Sequence, residues 1–185
     1  MPRCATWTLA VALAATLAGC ASPPSDLPAA AAAAQAPALG FFSPIKVPDG
    51  HDPVLRLTAK GTQVFRCEGE GSAYQWRFRQ PDAELFDAAG KVVAKHGAGF
   101  SFEHRDGSRL LGSVEAHEKA PTAETLPWLL LATRSFGNGG FAGVSYVQRL
   151  DTRGGMPPPA CSIQEANRLL RVEFSATFFF YRPRG

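Results

Sequence analysis

Short segments in which apolar and polar side chains alternate run through the chain from about residue 54 to its end. In residues 73–79, for example, Tyr74, Trp76 and Phe78 alternate with polar neighbours. Alternation with a period of two is typical of strands that bury one face. Such segments recur at roughly ten-residue spacing between turns rich in glycine, aspartate and proline. The pattern predicts an all-β fold, a single-domain antiparallel β-sandwich or barrel of about nine strands.

The clearest local signal is the dipeptide Asp106-Gly107, which lies between two alternating segments. Asp-Gly in this context favours a type I′ hairpin with a two-residue loop. Such a loop sets Phe102 opposite Leu111, so that two apolar side chains meet on one face of the hairpin. The sequence therefore predicts a tight hairpin here with that register.

Four later segments differ from simple alternation. Residues 127–133 (PWLLLAT) are continuously apolar, which predicts a strand buried on both faces; a buried helix is the alternative, and the short length and flanking prolines disfavour it. Residues 151–159 are rich in glycine and proline and are expected to be irregular, and residues 162–171 to hold one or two helical turns. Residues 172–181 form a long aromatic terminal strand that must be paired to avoid an exposed edge.

The first twenty residues have the features of an export signal. Arg3 is followed by an uncharged apolar run at residues 7–17, which is too short to span a bilayer. The sequence LAGC at residues 17–20 then resembles the lipobox of bacterial lipoproteins. This resemblance implies cleavage before Cys20 and attachment of diacylglycerol and a further acyl chain, such as palmitate, to that residue. The alternative is an ordinary secretory signal in which Cys20 is incidental.

The chain after the cleavage site divides into a tether and a domain. Residues 20–40 are rich in alanine and proline with one charge, Asp26, and cannot bury enough apolar surface to order themselves. Fully extended, such a segment reaches on the order of 60 Å. We therefore expect a signal peptide at 1–19, a lipidated tether at 20–40 and the β-domain at 41–185. Alanine at position 21 favours the outer membrane, so the expected location is the cell envelope, facing the periplasm or the cell surface.

The cysteine and charge content limits the kinds of site and partner that this protein can have. Cys4 leaves with the leader and Cys20 takes the lipid, so Cys67 and Cys161 remain, and an oxidising envelope favours a disulfide between them. A free thiol nucleophile or a metal site would need partners that the sequence does not offer. Removal of Arg3 leaves 18 basic and 16 acidic residues, scattered along the chain, which excludes a nucleic-acid partner.

Several segments, taken in order, are similar to a family of secreted bacterial and fungal proteins described only as a domain of unknown function, number 3455 of its series. They are GTQVFRC at 61–67, Trp76, PDAELFDAAGKVVAKH at 81–96, DGS at 106–108, LPWLLL at 126–131 and VQRLDTRGGMPPPAC at 147–161. The chain departs from the family pattern at residues 99–102, where a glycine-proline-threonine-tryptophan-like segment is expected. The resemblance, over residues 45–181, implies the fold and secretion but no activity.

The histidines are the first candidate site residues. His96 and His104 flank a short turn and, with Glu103 or Asp106, are conceivable as a metal-binding or hydrolytic site. No recognised ligand spacing accompanies them, and Asp106 is explained as a turn residue. We therefore expect neither a metal, nor a cofactor, nor a catalytic residue here.

The other candidates are Trp76, which could stack on a sugar ring, and the polar loop that carries Arg149, Asp151 and Arg153. The loop is interpreted either as a segment held by an Arg–Asp pair and the disulfide or as a recognition loop on a rigid scaffold. The favoured function is a non-catalytic envelope module that binds a small ligand, a polysaccharide or a protein. The alternatives are a metal-dependent extracytoplasmic hydrolase and a purely structural envelope protein. A binding module predicts an exposed aromatic or Arg/Asp patch in a groove.

Overall fold

The structure is a computed structural model that describes Met1, residues 34–71 and residues 73–185. Apart from Met1, the expected signal peptide lies outside the described residues, as do the lipidation site at Cys20 and the tether as far as residue 33. The chain divides into a unit at Met1–Ala30 and a second unit at Ala31–Gly185, and the second is described here. No helix in the described part of the chain is long and apolar enough to cross a membrane.

Eight antiparallel strands make up the domain. They are β1 (His51–Glu70), β2 (Ala73–Phe86), β3 (Val92–Gly97), β4 (Ser101–His104), β5 (Arg109–Glu118), β6 (Trp128–Phe136), β7 (Tyr146–Gly154) and β8 (Leu169–Pro183). Each strand pairs with its neighbours in sequence, and β8 pairs with β1 to close the barrel. The all-β prediction is confirmed, with eight strands instead of about nine.

The structure has fewer strands than predicted because alternating runs that are separate in the sequence join into a single strand. Residues 54–59 and 62–67 form one strand, β1, which passes straight through Gly61. A Cβ atom at Gly61 would lie 2.2 Å from the carbonyl oxygen of Asp82 on β2. Glycine at this position therefore permits a close approach of two strands and does not end the strand.

The inward-facing side chains fill the barrel with aromatic rings. Phe102 on β4 and Phe178 and Phe180 on β8 are fully buried, as is Phe141 from the β6–β7 connection. The Phe102 ring centroid lies 5.3 Å from that of Phe178 and 5.5 Å from that of Phe180, and Phe141 stacks on Phe180 at 4.9 Å. Edge-to-face and stacked contacts of this kind add to the stabilisation that burial of the rings provides.

An N-terminal arm, residues 34–50, covers part of the outside of the barrel. Its Ile45 is fully buried against the outer side chains of β6–β8, which include Leu130 and Leu150. Gln148 Nε2 donates a hydrogen bond to the Ile45 carbonyl oxygen at 2.6 Å, and the Tyr181 hydroxyl donates to Gln148 Oε1 at 2.5 Å. The arm explains the continuous apolar run in β6.

The double burial predicted for residues 127–133 is confirmed. Leu129 and Leu131 belong to the barrel interior, whereas Leu130 belongs to the cluster beneath the arm. A strand that is buried on both faces loses the polar half of its alternation.

The predicted hairpin register at Asp106-Gly107 is wrong by one residue. Phe102 pairs with Leu110, which is fully buried, and Leu111 is 53% exposed. The His104 N–H bonds to the Ser108 carbonyl, so the loop holds three residues, and Gly107 has a φ of 88°. A third loop residue with a left-handed glycine shifts the pairing by one position relative to a two-residue loop.

The expectation for the segment after Leu150 is partly wrong. Strand β7 continues to Gly154, where the sequence predicted irregular structure. The expected helical turn is present as a short 3-10 turn at Ile163–Glu165, and β8 begins soon afterwards, at Leu169. The loop between β7 and β8 is joined to the barrel by the Cys67–Cys161 disulfide, which confirms the predicted pairing.

Candidate functional site

His96 lies inside the barrel and is 2% exposed. Its Nδ1 is 2.9 Å from the Ser101 carbonyl oxygen, and its ring stacks on Phe102 with centroids 4.2 Å apart. Burial lowers the pKa of His96 to about 4, against a smaller opposing effect of the Ser101 hydrogen bond; the charge of Arg149 lowers it further. The imidazole is therefore neutral at pH 7, and Nδ1 carries the proton that it donates to Ser101.

This lowered pKa predicts an acid-sensitive fold. Between about pH 6.5 and pH 4 the unfolded chain binds a proton at His96 that the folded chain does not, so stability is present above this range and lost as the pH falls through it. The expected loss is about 3 kcal/mol. Urea unfolding at pH 7.0 and pH 4.5 should show the loss in the wild type and much less of it in His96→Phe. The control His117→Gln should behave as the wild type, and equal losses in His96→Phe and the wild type would exclude His96 as the cause.

His104 lies at the end of β4, where it contacts residues of the β4–β5 turn. Its Nδ1 lies 2.8 Å from Asp106 Oδ2, so the structure brings these two candidates together. The Asp106 carboxylate also accepts hydrogen bonds from the Ser108 hydroxyl (2.6 Å), the Ser108 N–H (2.9 Å) and the Gly140 N–H (2.7 Å). These bonds, that of the Ser108 hydroxyl above all, hold the pKa of Asp106 well below its usual range. The cluster ties the β4–β5 turn to the β6–β7 connection.

The two histidines do not form a joint site. On adjacent strands His96 pairs with Phe102 and His104 pairs with Ala94, and each ring contacts a different phenylalanine most closely. Within the described residues, no group of three or more His, Cys, Asp or Glu side chains is placed to hold a metal ion. The hydrolase alternative therefore has no ligand set in this part of the chain.

Arg149 is not a loop residue, as the sequence suggested, but an inward-facing residue of β7 that is 5% exposed. Its Nη2 donates to the Pro127 carbonyl oxygen at 2.9 Å, whereas its buried Nε has no hydrogen-bond partner among the described residues. Burial lowers the pKa of Arg149 to about 10, so the side chain remains charged at neutral pH. This cation near His96 helps to keep that imidazole neutral.

Asp151 and Arg153 lie on the outside of the barrel and are exposed. Simple alternation would place them on the same face as Arg149, but the pairing of β7 with β8 shifts between Leu150 and Arg153. Asp151 has a φ of 49°, as in a bulge, and aspartate tolerates this conformation better than most residues. Among the described residues Asp151 forms no ion pair with Arg149 or Arg153, so the segment is not held by an Arg–Asp pair. The bulge places Arg149 and Asp151 on opposite faces of the strand.

Three neighbouring depressions follow the outer surface from the β5–β6 loop to β3, and we call them together the outer groove. The first, of about 400 Å³, is lined by Trp128, Asp151, Arg153 and residues of the β5–β6 loop. The second, of about 600 Å³, shares Arg153 and Gly154 with the first and extends across β8 to β1. The third, of about 420 Å³, shares Lys60, Gly61 and Thr62 with the second and continues to β2 and β3.

The outer groove carries charges of both signs. The basic residues are Lys60, Lys95, Arg153 and Arg171, and the acidic residues are Asp82, Glu84, Asp151 and Glu173. Arg171 Nη1 and Asp82 Oδ2 form an ion pair at 2.8 Å. Because the two signs are balanced, the groove does not select for a strongly charged polymer.

The first depression is held rigidly. Thr152 Oγ1 donates to the Leu126 carbonyl oxygen at 2.5 Å, and the Leu126 N–H donates to the Gly154 carbonyl oxygen at 3.1 Å, so the β5–β6 loop is fastened to β7. The indole Nε1–H of Trp128 is buried and has no acceptor among the described residues. A buried donor without an acceptor is costly to the folded state.

Trp76 takes no part in the outer groove as these depressions define it. It lies on β2, pairs with Cys67 of the disulfide and is half-buried. Of the groove residues, Asp151 and Arg153 were predicted from the sequence as candidates, whereas the β1–β2 residues were not. Trp128 belongs to the apolar run at residues 127–133, for which the sequence predicts burial on both faces, so no local signal marks it as a groove residue.

A family model described as "Protein of unknown function (DUF3455)" matches residues 48–182 of the chain. The chain belongs to this family. The resemblance found in the sequence is thereby confirmed, and the DUF3455 match spans nearly the whole barrel, including the disulfide and the outer groove. No curated protein and no solved structure matches the chain. The arm up to Val47 lies before the DUF3455 match.

The geometry thus separates two kinds of polar group in this DUF3455 domain. His96, His104 and Arg149 are engaged in packing, turn contacts or the barrel interior. Asp151 and Arg153 instead offer a carboxylate acceptor and a guanidinium donor to whatever enters the groove. Asp151 and Arg153 are therefore the predicted candidates that lie exposed at the outer groove.

Proposed function

We propose that the mature chain is a lipid-anchored protein of the cell envelope whose barrel binds an extended polysaccharide in the outer groove without catalysing a reaction. The observation that carries this proposal is the first depression, in which Asp151, Arg153 and the half-buried side chain of Trp128 line one cavity. The lipid anchor is supported by the LAGC sequence at residues 17–20.

The shape and chemistry of the groove favour a polysaccharide over the other ligands considered. Three consecutive depressions suit a chain of repeating units better than one compact small molecule. Sugar hydroxyl groups both donate and accept, so they match a lining that offers carboxylates, guanidinium groups and the threonine hydroxyls of Thr62 and Thr125. The balanced charge fits a polymer with little net charge.

Binding without catalysis is favoured by the state of the two histidines. His96 is buried, neutral and hydrogen-bonded to Ser101, and His104 is held by the turn carboxylate of Asp106. Neither ring lines the outer groove. The proposal therefore needs no reacting group in the groove.

Groove variants test the binding proposal. Arg153→Gln and Asp151→Asn remove one charge each, and asparagine accepts the left-handed backbone of position 151. Loss of one hydrogen bond to a charged group should weaken binding by about tenfold or more. The measurement is calorimetric titration of the mature Cys20→Ser chain with soluble peptidoglycan strands and N-acetylglucosamine oligomers.

Arg109→Gln, at an exposed position on β5 outside the groove, is the matched control and should bind as the wild type does. If the control and the groove variants weaken binding alike, the groove is not the site. Absence of binding to any soluble envelope glycan would favour the purely structural alternative.

Labelling of cells with palmitate tests the anchor. The wild type should incorporate label and fractionate with membranes, whereas Cys20→Ser should incorporate none. Cys4→Ser is the control and should be labelled as the wild type is, because that cysteine leaves with the leader. Mass spectrometry that finds an unmodified N-terminus at a residue other than Cys20 would contradict the anchor.

A further inference from the structure

Phe41 and Phe42 are the most exposed large apolar side chains among described residues 34–71 and 73–185. Phe41 is 82% exposed and Phe42 is 91% exposed. Their rings contact each other edge-on, with centroids 4.8 Å apart, and therefore form one apolar projection. Single exposed hydrophobic residues need no explanation, but two adjacent rings with almost no contact to the barrel do.

The turn that carries these rings is fastened to the barrel. Ser43 Oγ donates to Glu118 Oε2 at 2.5 Å, and the fully buried Ile45 anchors the arm two residues further on. Lys46 Nζ donates to the Phe41 carbonyl oxygen at 2.5 Å and lies 5.0 Å from the centroid of the Phe41 ring. The rings thus project from a fixed point, with a cation beside them.

We propose that Phe41 and Phe42 insert into the interfacial region of the membrane that holds the lipid anchor. Aromatic rings beside a lysine are suited to this region, where apolar groups enter the acyl boundary and the ammonium group meets anionic headgroups. The inference rests on the anchor part of the proposed function and adds a second membrane contact, which orients the barrel.

Chain length is consistent with this contact. Twenty residues separate Cys20 from Phe41, and a lipid on Cys20 holds the rings within reach of the bilayer at all times. Tethering converts a weak contact into an intramolecular one with a high effective concentration. Two rings are therefore sufficient to keep the tethered barrel in contact with the membrane, although they would not hold an untethered protein there.

Tryptophan scanning on a chemically tethered protein tests the contact. The chain from Cys20 to Gly185 is coupled through the Cys20 thiol to maleimide lipid in phosphatidylethanolamine–phosphatidylglycerol vesicles; Cys67 and Cys161 are protected as the disulfide. The variants Phe41→Trp and Phe42→Trp are compared with Ile163→Trp, a control at an exposed apolar position on the β7–β8 loop. Substitution at these exposed positions leaves the core intact.

Emission is compared with that of the unsubstituted chain, in which Trp76 and Trp128 give the common background. The expected result is an additional blue-shifted emission that brominated lipids quench strongly for tryptophan at positions 41 and 42, with neither effect at position 163. Quenching at positions 41 and 42 that is no greater than at position 163 would overturn the proposal. Because the coupling is chemical, this outcome does not depend on whether cells lipidate Cys20, which palmitate labelling decides separately.

Discussion

Replacement of both Cys67 and Cys161 by serine is expected to lower the free energy of unfolding by about 4–5 kcal/mol. The two cysteines are separated by 94 positions, and opening a loop of this length restores much conformational entropy to the unfolded chain. The folded state also loses the link that ties the β7–β8 loop to β1. Urea denaturation at pH 7 of the mature chain measures the change.

The control for this prediction is a chain that carries Cys20→Ser alone, which should match the wild-type domain. Reduction of that chain should reproduce the effect of the double serine variant. A loss below about 1 kcal/mol would mean that the unfolded chain is already restricted in another way, and the entropic account of the disulfide would be wrong.

Phe102→Ala should destabilise the barrel by about 3–5 kcal/mol, the range found for aromatic side chains removed from a core. Phe102 is fully buried, and its ring contacts His96, Phe178 and Phe180 at the centre of the barrel. Strands on either side are fixed by pairing with their neighbours, so collapse of the barrel onto the space left behind is limited.

Phe42→Ala is the matched control, because the same ring is removed from a side chain that is 91% exposed. Its free energy of unfolding should change by less than about 0.5 kcal/mol. Similar losses for the two variants would contradict the assignment of Phe102 to the barrel core.

Alternation and turn residues were sufficient to predict an antiparallel β-domain, and the elimination of other cysteines was sufficient to predict the disulfide. They could not distinguish a barrel from a sandwich, since closure depends on the pairing of β1 with β8, which lie at opposite ends of the domain sequence. The number of strands was overestimated because residues 54–59 and 62–67, which are two separate runs in the sequence, form the single strand β1.

The candidate site was predictable only in part. Alternation alone would place Arg149, Asp151 and Arg153 together, but a bulge that depends on tertiary pairing turns Arg149 inward and leaves the other two outside. The outer groove joins β7, β8, β1 and β2, whose residues are far apart in sequence, so no local motif marks it. The predicted hairpin register was wrong by one residue because the length of the loop also depends on tertiary contacts. Asp106 accepts a hydrogen bond from Gly140 of the β6–β7 connection, and Gly107 adopts a left-handed conformation in the three-residue loop.

Hydrogen–deuterium exchange of the mature Cys20→Ser chain, with and without the best-binding soluble envelope glycan, tests the groove most directly. Backbone amides at the groove, in residues 120–128 and 151–155 above all, should exchange more slowly with glycan present, while the β4–β5 turn at residues 105–108 should not change. Protection confined to the β4–β5 turn, or no protection anywhere in the presence of saturating glycan, would contradict the account.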